Sequence, residues 1–173
     1  MNEKNEVERQ DVMRSQYMAG RVRRYHTWPT LHQETVDEHS MGVLRIYRQI
    51  FGLSTISVVQ YVMDHDLPEL HVGDTPFPAK RKYPKLKEAL DEAEEAARKE
   101  LGLPTSYYLS DAEKRRIKVC DLLQMWQFGR AEMRMGNAYA LPIVADTATA
   151  ALETAPEEDQ QIVRRWMLEE SAR

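Results

Sequence analysis

Apolar residues recur along this chain at intervals of three and four, and strand-like alternation is almost absent. Val7 to Ala19 predicts a first helix, closed by Gly20 at the position that favours a left-handed residue. Arg21 to Glu34, with Pro29 and two histidines, predicts an irregular connection. Thr35-Val36-Asp37-Glu38 fits a capping box. The helix behind it carries Met41, Leu44, Tyr47, Ile50 and Phe51 and ends at Gly52. Ser54 caps the next, with Ile56, Val59, Val62 and Met63, which runs into Asp64-His65-Asp66-Leu67 and stops near Pro68. Pro68 to Pro84 reads as a long loop rich in proline. Lys85 to Leu101 predicts a polar helix before Gly102. Ser110-Asp111-Ala112-Glu113 is a second capping box, opening a helix with Ile117, Cys120, Leu123 and Phe128. Ala138 to Thr154 is alanine-rich, with Pro142 near its start, and suits close helix packing. Pro156 opens a last helix whose Ile162, Trp166 and Met167 share one face, read as exposed and as an interface.

About six or seven helices, by ordinary segment lengths, give an all-α fold. With no repeat or linker, one domain is expected over residues 1–173. Its motif-bearing core would lie at about 20–125, with helices at 138–171 packed on it. A chain of 173 residues, 42% hydrophobic and 30% charged, can bury a core without disulfides, and Cys120 has no partner to form one. The net charge of -4 argues against a general nucleic-acid coat, so no polymer partner is expected. No apolar run is long enough to span a membrane, and the N-terminal segment lacks an apolar signal core. The expected compartment is the cytoplasm.

The chemistry lies in four segments: Glu38-His39, Asp64-His65-Asp66-Leu67-Pro68-Glu69, Gly73-Asp74-Thr75-Pro76 and Lys118-Val119-Cys120-Asp121. Asp121 falls in an otherwise apolar helix, where a carboxylate is costly unless neutralised. A divalent cation held by His39, His65, Asp66 and Asp121 would neutralise it. Mixed nitrogen and oxygen ligation suits zinc, cobalt, manganese, nickel or iron better than calcium. Were the helix to persist past Pro68, Glu69 would lie over the ion, placed to take a proton from an attacking water. Asp74 could position that water or protonate the leaving oxygen. Metal and carboxylate together describe phosphate-ester hydrolysis. Taken singly, each residue has a plainer role: His39 as a cap or core residue, Asp121 as a partner of Lys118 or Arg115. His26, His32 and His71 read as loop residues, and Cys120 as a small buried hydrophobe.

The ordered set His39 … His65-Asp66 … Asp121 resembles the metal signature of the HD-domain phosphohydrolases. Thr35-Val36-Asp37-Glu38-His39-Ser40, His65-Asp66-Leu67-Pro68-Glu69 and Gly73-Asp74-Thr75-Pro76-Phe77-Pro78-Ala79-Lys80 resemble its 5′-deoxynucleotidase branch. They also resemble small bacteriophage HD proteins that hydrolyse dATP to deoxyadenosine and triphosphate. Arg24-Tyr25-His26-Thr27-Trp28-Pro29 and the short length look closer to the phage group. The resemblance implies His39, His65, Asp66 and Asp121 as metal ligands, Glu69 as the catalytic carboxylate and Asp74 as its assistant. It implies Arg24 as a phosphate contact, Lys80 as a substrate-binding basic residue at the end of the loop, and an oligomer of identical chains. One departure stands out: where bacterial deoxynucleotidases have tryptophan after the arginine, this chain has Tyr25, with Trp28 three residues on. Either ring, pressed on C2′, would leave a 2′-hydroxyl without a partner, worth roughly 1–3 kcal/mol of selectivity.

Two reactions then compete. A dATP-type triphosphohydrolase would release deoxynucleoside and triphosphate; a 5′-deoxynucleotidase would release phosphate from a dNMP. The basic run Lys80, Arg81, Lys82, Lys85 and Lys87 leans toward the triphosphate, and the role would be shaping a nucleotide pool during phage replication.

Overall fold

The computed structural model describes residues 3–172, with side chains from Arg9 onward. Met1, Asn2 and Arg173 of the domain expected over 1–173 lie outside the described residues. The helices are α1 (Glu3–Ala19), α2 (Val36–Phe51), α3 (Ile56–Asp64), α4 (Glu69–Val72), α5 (Phe77–Lys82), α6 (Pro84–Glu100), α7 (Asp111–Arg134), α8 (Leu141–Thr154) and α9 (Glu157–Ala172). A single 3-10 turn, Ala138–Ala140, leads into α8. Among the described residues, β-structure is limited to one bridge, Arg23 to Thr35. The fold is all-α. It exceeds the expected helix number because the proline-rich stretch folds into α4 and α5. Proline is tolerated in a first helical turn, where its missing N–H costs nothing, and Pro78 and Pro84 stand at such positions.

Contacts divide the chain into two units. The first comprises Met1–Pro29, Gln33–Glu38 and Met63–Tyr107. Its core gathers Ala19, Val36, Leu67, Leu101 and Leu103, with Val22 and Leu70 packed against them. α4 lies against α1 and α6, and α5 against α6. Gly20 follows α1 for a reason the sequence did not suggest. Its φ is not positive; rather, a Cβ there would fall 2.2 Å from Asp37 Oδ1, and the Asp37 N–H donates to the Gly20 carbonyl at 3.0 Å. Gly102 does take the left-handed conformation, at φ 64°, and ends α6. The Thr35–Glu38 capping box forms: the Glu38 carboxylate accepts the Thr35 N–H at 2.8 Å, and the Thr35 hydroxyl accepts the Glu38 N–H at 3.3 Å.

The second unit comprises Thr30–His32, His39–Val62 and Tyr108–Arg173. The long helix α7 is its axis. Ser110 and Glu113 close the capping box that starts it, and Ile117, Leu122, Leu123, Trp126 and Phe128 are buried along it. α8 lies along α7, and its Ala150 and Ala151 are buried, as close packing requires. Trp166 on α9 is buried too, contrary to the expectation of an exposed face. Its ring meets Trp126 at 6.1 Å in a tilted arrangement, and its indole N–H donates to Gln49 Oε1 at 3.0 Å. The Arg116 guanidinium grips both oxygens of Asp159, at 2.6 and 3.0 Å.

Glu132 is fully buried near the end of α7. Its carboxylate accepts the backbone N–H groups of Leu31 and His32, each at 2.7 Å, and an Asn137 side-chain N–H at 2.7 Å. The charge is thus met by three donors, two of them from the backbone. Glu132→Ala should cost about 2–4 kcal/mol, because three donors lose a shared acceptor at once and a cavity is left. A lowered urea midpoint at unchanged m-value would be the sign of it.

Candidate metal centre

α3 ends at Asp64, so His65 and Asp66 sit just past it and not within a continuing helix. Pro68 has no N–H to extend the ladder and restricts Leu67 before it. The chain turns, with Glu69 N–H donating to the Asp66 carbonyl at 3.0 Å and Leu70 N–H to the Leu67 carbonyl at 3.1 Å. Glu69 therefore opens α4. The turn is held from α6: Arg98 donates to the His65 carbonyl at 3.4 Å and to the Tyr107 hydroxyl at 3.3 Å. Tyr107 in turn donates to Asp64 Oδ2 at 2.8 Å.

Arg24, itself buried, stands among these acids. One Nη donates to Asp66 Oδ2 and lies 3.9 Å from Glu69 Oε1. Its Nε is 3.6 Å from Glu34 Oε2, and its backbone N–H donates to the Glu34 carbonyl at 2.9 Å. Burial works to lower the Arg24 pKa, but Asp66, Tyr25, Glu69 and Asp74 outweigh it, so the guanidinium stays charged. Burial first, then the Asp66 charge, push the Glu69 carboxyl up to about 9, with Arg24 pulling the other way. Glu69 Oε2 is buried without a hydrogen-bond partner. His65 Nε2 is 3.4 Å from Asp66 Oδ1, so both side chains present donor atoms at one place.

Tyr25 has φ 57°, the left-handed region that a bulky residue enters only under constraint. The constraint is Asp74, whose Oδ2 accepts the Tyr25 N–H at 2.7 Å. Strain of this kind collects at functional sites. Trp28 is half-buried beyond it, donating its backbone N–H to the Tyr25 carbonyl at 2.9 Å. Lys80 lies in the last turn of α5, its Nζ 3.3 Å from Glu94 Oε1.

The second unit holds the other pair. His39 is in the first turns of α2 and fully buried. Its Nε2 is 3.1 Å from Asp121 Oδ1, and its Nδ1 is 2.5 Å from Gln124 Oε1. Lys118 takes the other Asp121 oxygen at 2.5 Å, the pairing that helix spacing allowed. Cys120 beside it is buried, and burial raises its thiol pKa well above the ordinary value, which suits an inert packing residue. Imidazole and carboxylate donors suit a divalent transition metal: each unit presents one such pair, and the buried Glu69 oxygen adds a polar group with nothing yet to bind.

A family model described as 5′-deoxynucleotidase YfbR-like matches residues 17–170. The chain belongs to that family. The family's description is that of 5′-deoxynucleotidases, hydrolases of deoxynucleotides. Its fold is that of a cyanophage S-2L HD phosphohydrolase, DatZ, whose structure is described as bound to dA and one catalytic Zn2+ ion. The two superpose with a TM-score of 0.70 at 18% sequence identity, over 91% of this chain and 93% of that one. No curated protein sequence matches the chain.

Within this YfbR-like chain, the structure draws in residues that the motifs did not single out. Glu34 and Arg98 lie in stretches whose pattern gives no sign of a site. Gln124 could have been found: it falls three residues after Asp121, on the same helical face. His26 and His32 are exposed, and His71 lies in α4.

The raised Glu69 pKa makes the metal-free protein sensitive to base. An acid whose folded pKa exceeds its unfolded value of 4.5 binds more protons when native. Its contribution to stability is therefore full below about 4.5 and falls as pH climbs toward about 9. In the presence of a chelator, urea denaturation from pH 5 to 9 should show the parent losing up to ~1.4 kcal/mol per pH unit relative to Glu69→Gln. Parallel pH profiles for the two proteins would contradict it.

Proposed function

We propose that this chain hydrolyses a 2′-deoxynucleoside triphosphate, dATP or a close analogue, to the deoxynucleoside and triphosphate. His39, His65, Asp66 and Asp121 would hold the divalent cation, of which zinc, cobalt, manganese, nickel and iron all suit the donors. The observation that carries the reading is the buried acid cluster around Arg24. Glu69 lies next to Asp66 with one oxygen unused, at a basicity that favours taking up a proton.

When bound, the cation would polarise a phosphoryl oxygen and lower the pKa of water. The chain's own groups supply the rest. Glu69 would accept the proton of the attacking water. Arg24, fixed by Glu34 and Asp66, would offer its charge to the phosphate nearest the sugar. Asp74 would hold the Arg24–Tyr25 backbone in place through the Tyr25 N–H, and from the same position could aid the leaving oxygen. Tyr25 or Trp28 would cover C2′ and reject a ribose. Lys80, with Arg81, Lys82 and Lys85 exposed next to it, would take the outer phosphates. The dA in the DatZ structure accords with an adenine deoxynucleoside as product. Exposed Leu31, Met135, Tyr139 and Leu141 in the second unit favour assembly into a homo-oligomer. No described helix is long and apolar enough to cross a membrane; the host cytoplasm of a phage is the setting that the proposed role implies.

The second reading is 5′-deoxynucleotidase action on a dNMP, favoured by the description of the matching family. The same ligands and Glu69 serve it, since both reactions attack the phosphorus next to the sugar. Ion chromatography of products from dATP and dAMP separates them. Triphosphate from dATP is expected, and turnover of dAMP alone would select the second reading. Under either, Glu69→Ala should retain bound metal while kcat drops by about 10²- to 10⁴-fold. The parent should turn over dATP roughly 5- to 150-fold better than ATP, the ratio shrinking in the variant that removes the covering ring.

A further inference from the structure

The strongest feature left unused by the reaction is the contact between His39 and Gln124, together with the glycine that makes room for it. Gln124 is buried on α7, and its Oε1 lies 2.5 Å from His39 Nδ1. Gly42 is one turn after His39 on α2. A Cβ at Gly42 would stand 2.8 Å from Gln124 Cγ. A glycine inside a helix is less favourable than alanine, so its place here needs a reason. The Gln124 side chain lying across it is that reason.

We infer that Gln124 is a positioning residue that fixes His39 as a metal-binding tautomer. An amide oxygen can only accept, so Nδ1 must carry the proton. In the neutral ring Nε2 is then the nitrogen that can donate to a metal, and it is Nε2 that lies 3.1 Å from Asp121 Oδ1. The neutral ring and the Asp121 carboxylate thus turn two donor atoms toward one place, where a cation can join them. Gln124 differs from a carboxylate at this place in adding no charge. Its neutrality leaves Asp121 as the anionic partner within this pair, while the ring is still oriented. The inference rests on the proposal that His39 and Asp121 ligate metal, and its test separates the two.

Zinc and cobalt affinities would be measured by competition with a chromophoric chelator for the parent, Gln124→Leu, Gln124→Glu, Gly42→Ala and His39→Ala. A parent that binds no metal, or a His39→Ala variant that binds as well as the parent, would refute the ligand assignment itself. With both controls sound, Gln124→Leu should weaken binding about 10- to 100-fold. Gln124→Glu, which keeps an acceptor, should restore binding to within about threefold of the parent. Gly42→Ala, which crowds Gln124 without removing it, should fall between. Equal affinity in the parent and Gln124→Leu overturns the inference, and so does equal loss in Gln124→Leu and Gln124→Glu. Nitrogen-15 shifts of the His39 ring in the metal-free parent give a readout that needs no variant to fold. A proton on Nδ1 is expected; an Nδ1 without one refutes it.

Discussion

Arg24 is the group on which the first unit depends. A buried guanidinium is expensive, and three buried or half-buried carboxylates are more so; each is tolerable only because the other is present. Asp66, Glu69 and Glu34 converge on one cation that cannot lose its proton. The arrangement is short of balance: one positive charge faces three acids, with Asp74 close behind. Burial first, and this surplus second, leave a Glu69 that resists ionisation. A site that holds excess negative charge away from water is prepared for a cation, and a carboxylate that gives way is prepared to carry a proton. Structure and chemistry here are the same electrostatic fact.

Much of this could be read from the amino acids. Capping boxes at Thr35 and Ser110 form as written, because their hydrogen bonds are local and depend on residues three apart. The pairing of Asp121 with Lys118 was available from helix geometry. The residues proposed as metal ligands stand out among the amino acids because adjacent or regularly spaced donors leave a trace in sequence.

Other features were hidden for physical reasons. Glu69 could be set over the ion from the sequence only on the condition that the helix ran past Pro68; α3 ends at Asp64, and Glu69 is buried by the turn that opens α4. Trp166 looked exposed because periodicity reports a face but not what covers it; the cover is Trp126, forty residues earlier on α7, together with Gln49. Gly20 looked like a left-handed cap, yet it is small to admit Asp37. Long-range contacts of this kind, such as Glu132 with Leu31 and His32, join residues whose separation carries no periodicity.

The grip of Arg98 on the His65 carbonyl has an evolutionary corollary. α6 presents a largely polar, solvated surface, and substitutions there should drift freely. Its length is another matter. Inserting or deleting a single residue between Pro84 and Arg98 would swing the guanidinium by about 100° around the helix and release the turn that carries His65. Among descendants of this sequence, α6 should therefore vary in letters while keeping its count, a ruler whose markings may be repainted but not respaced.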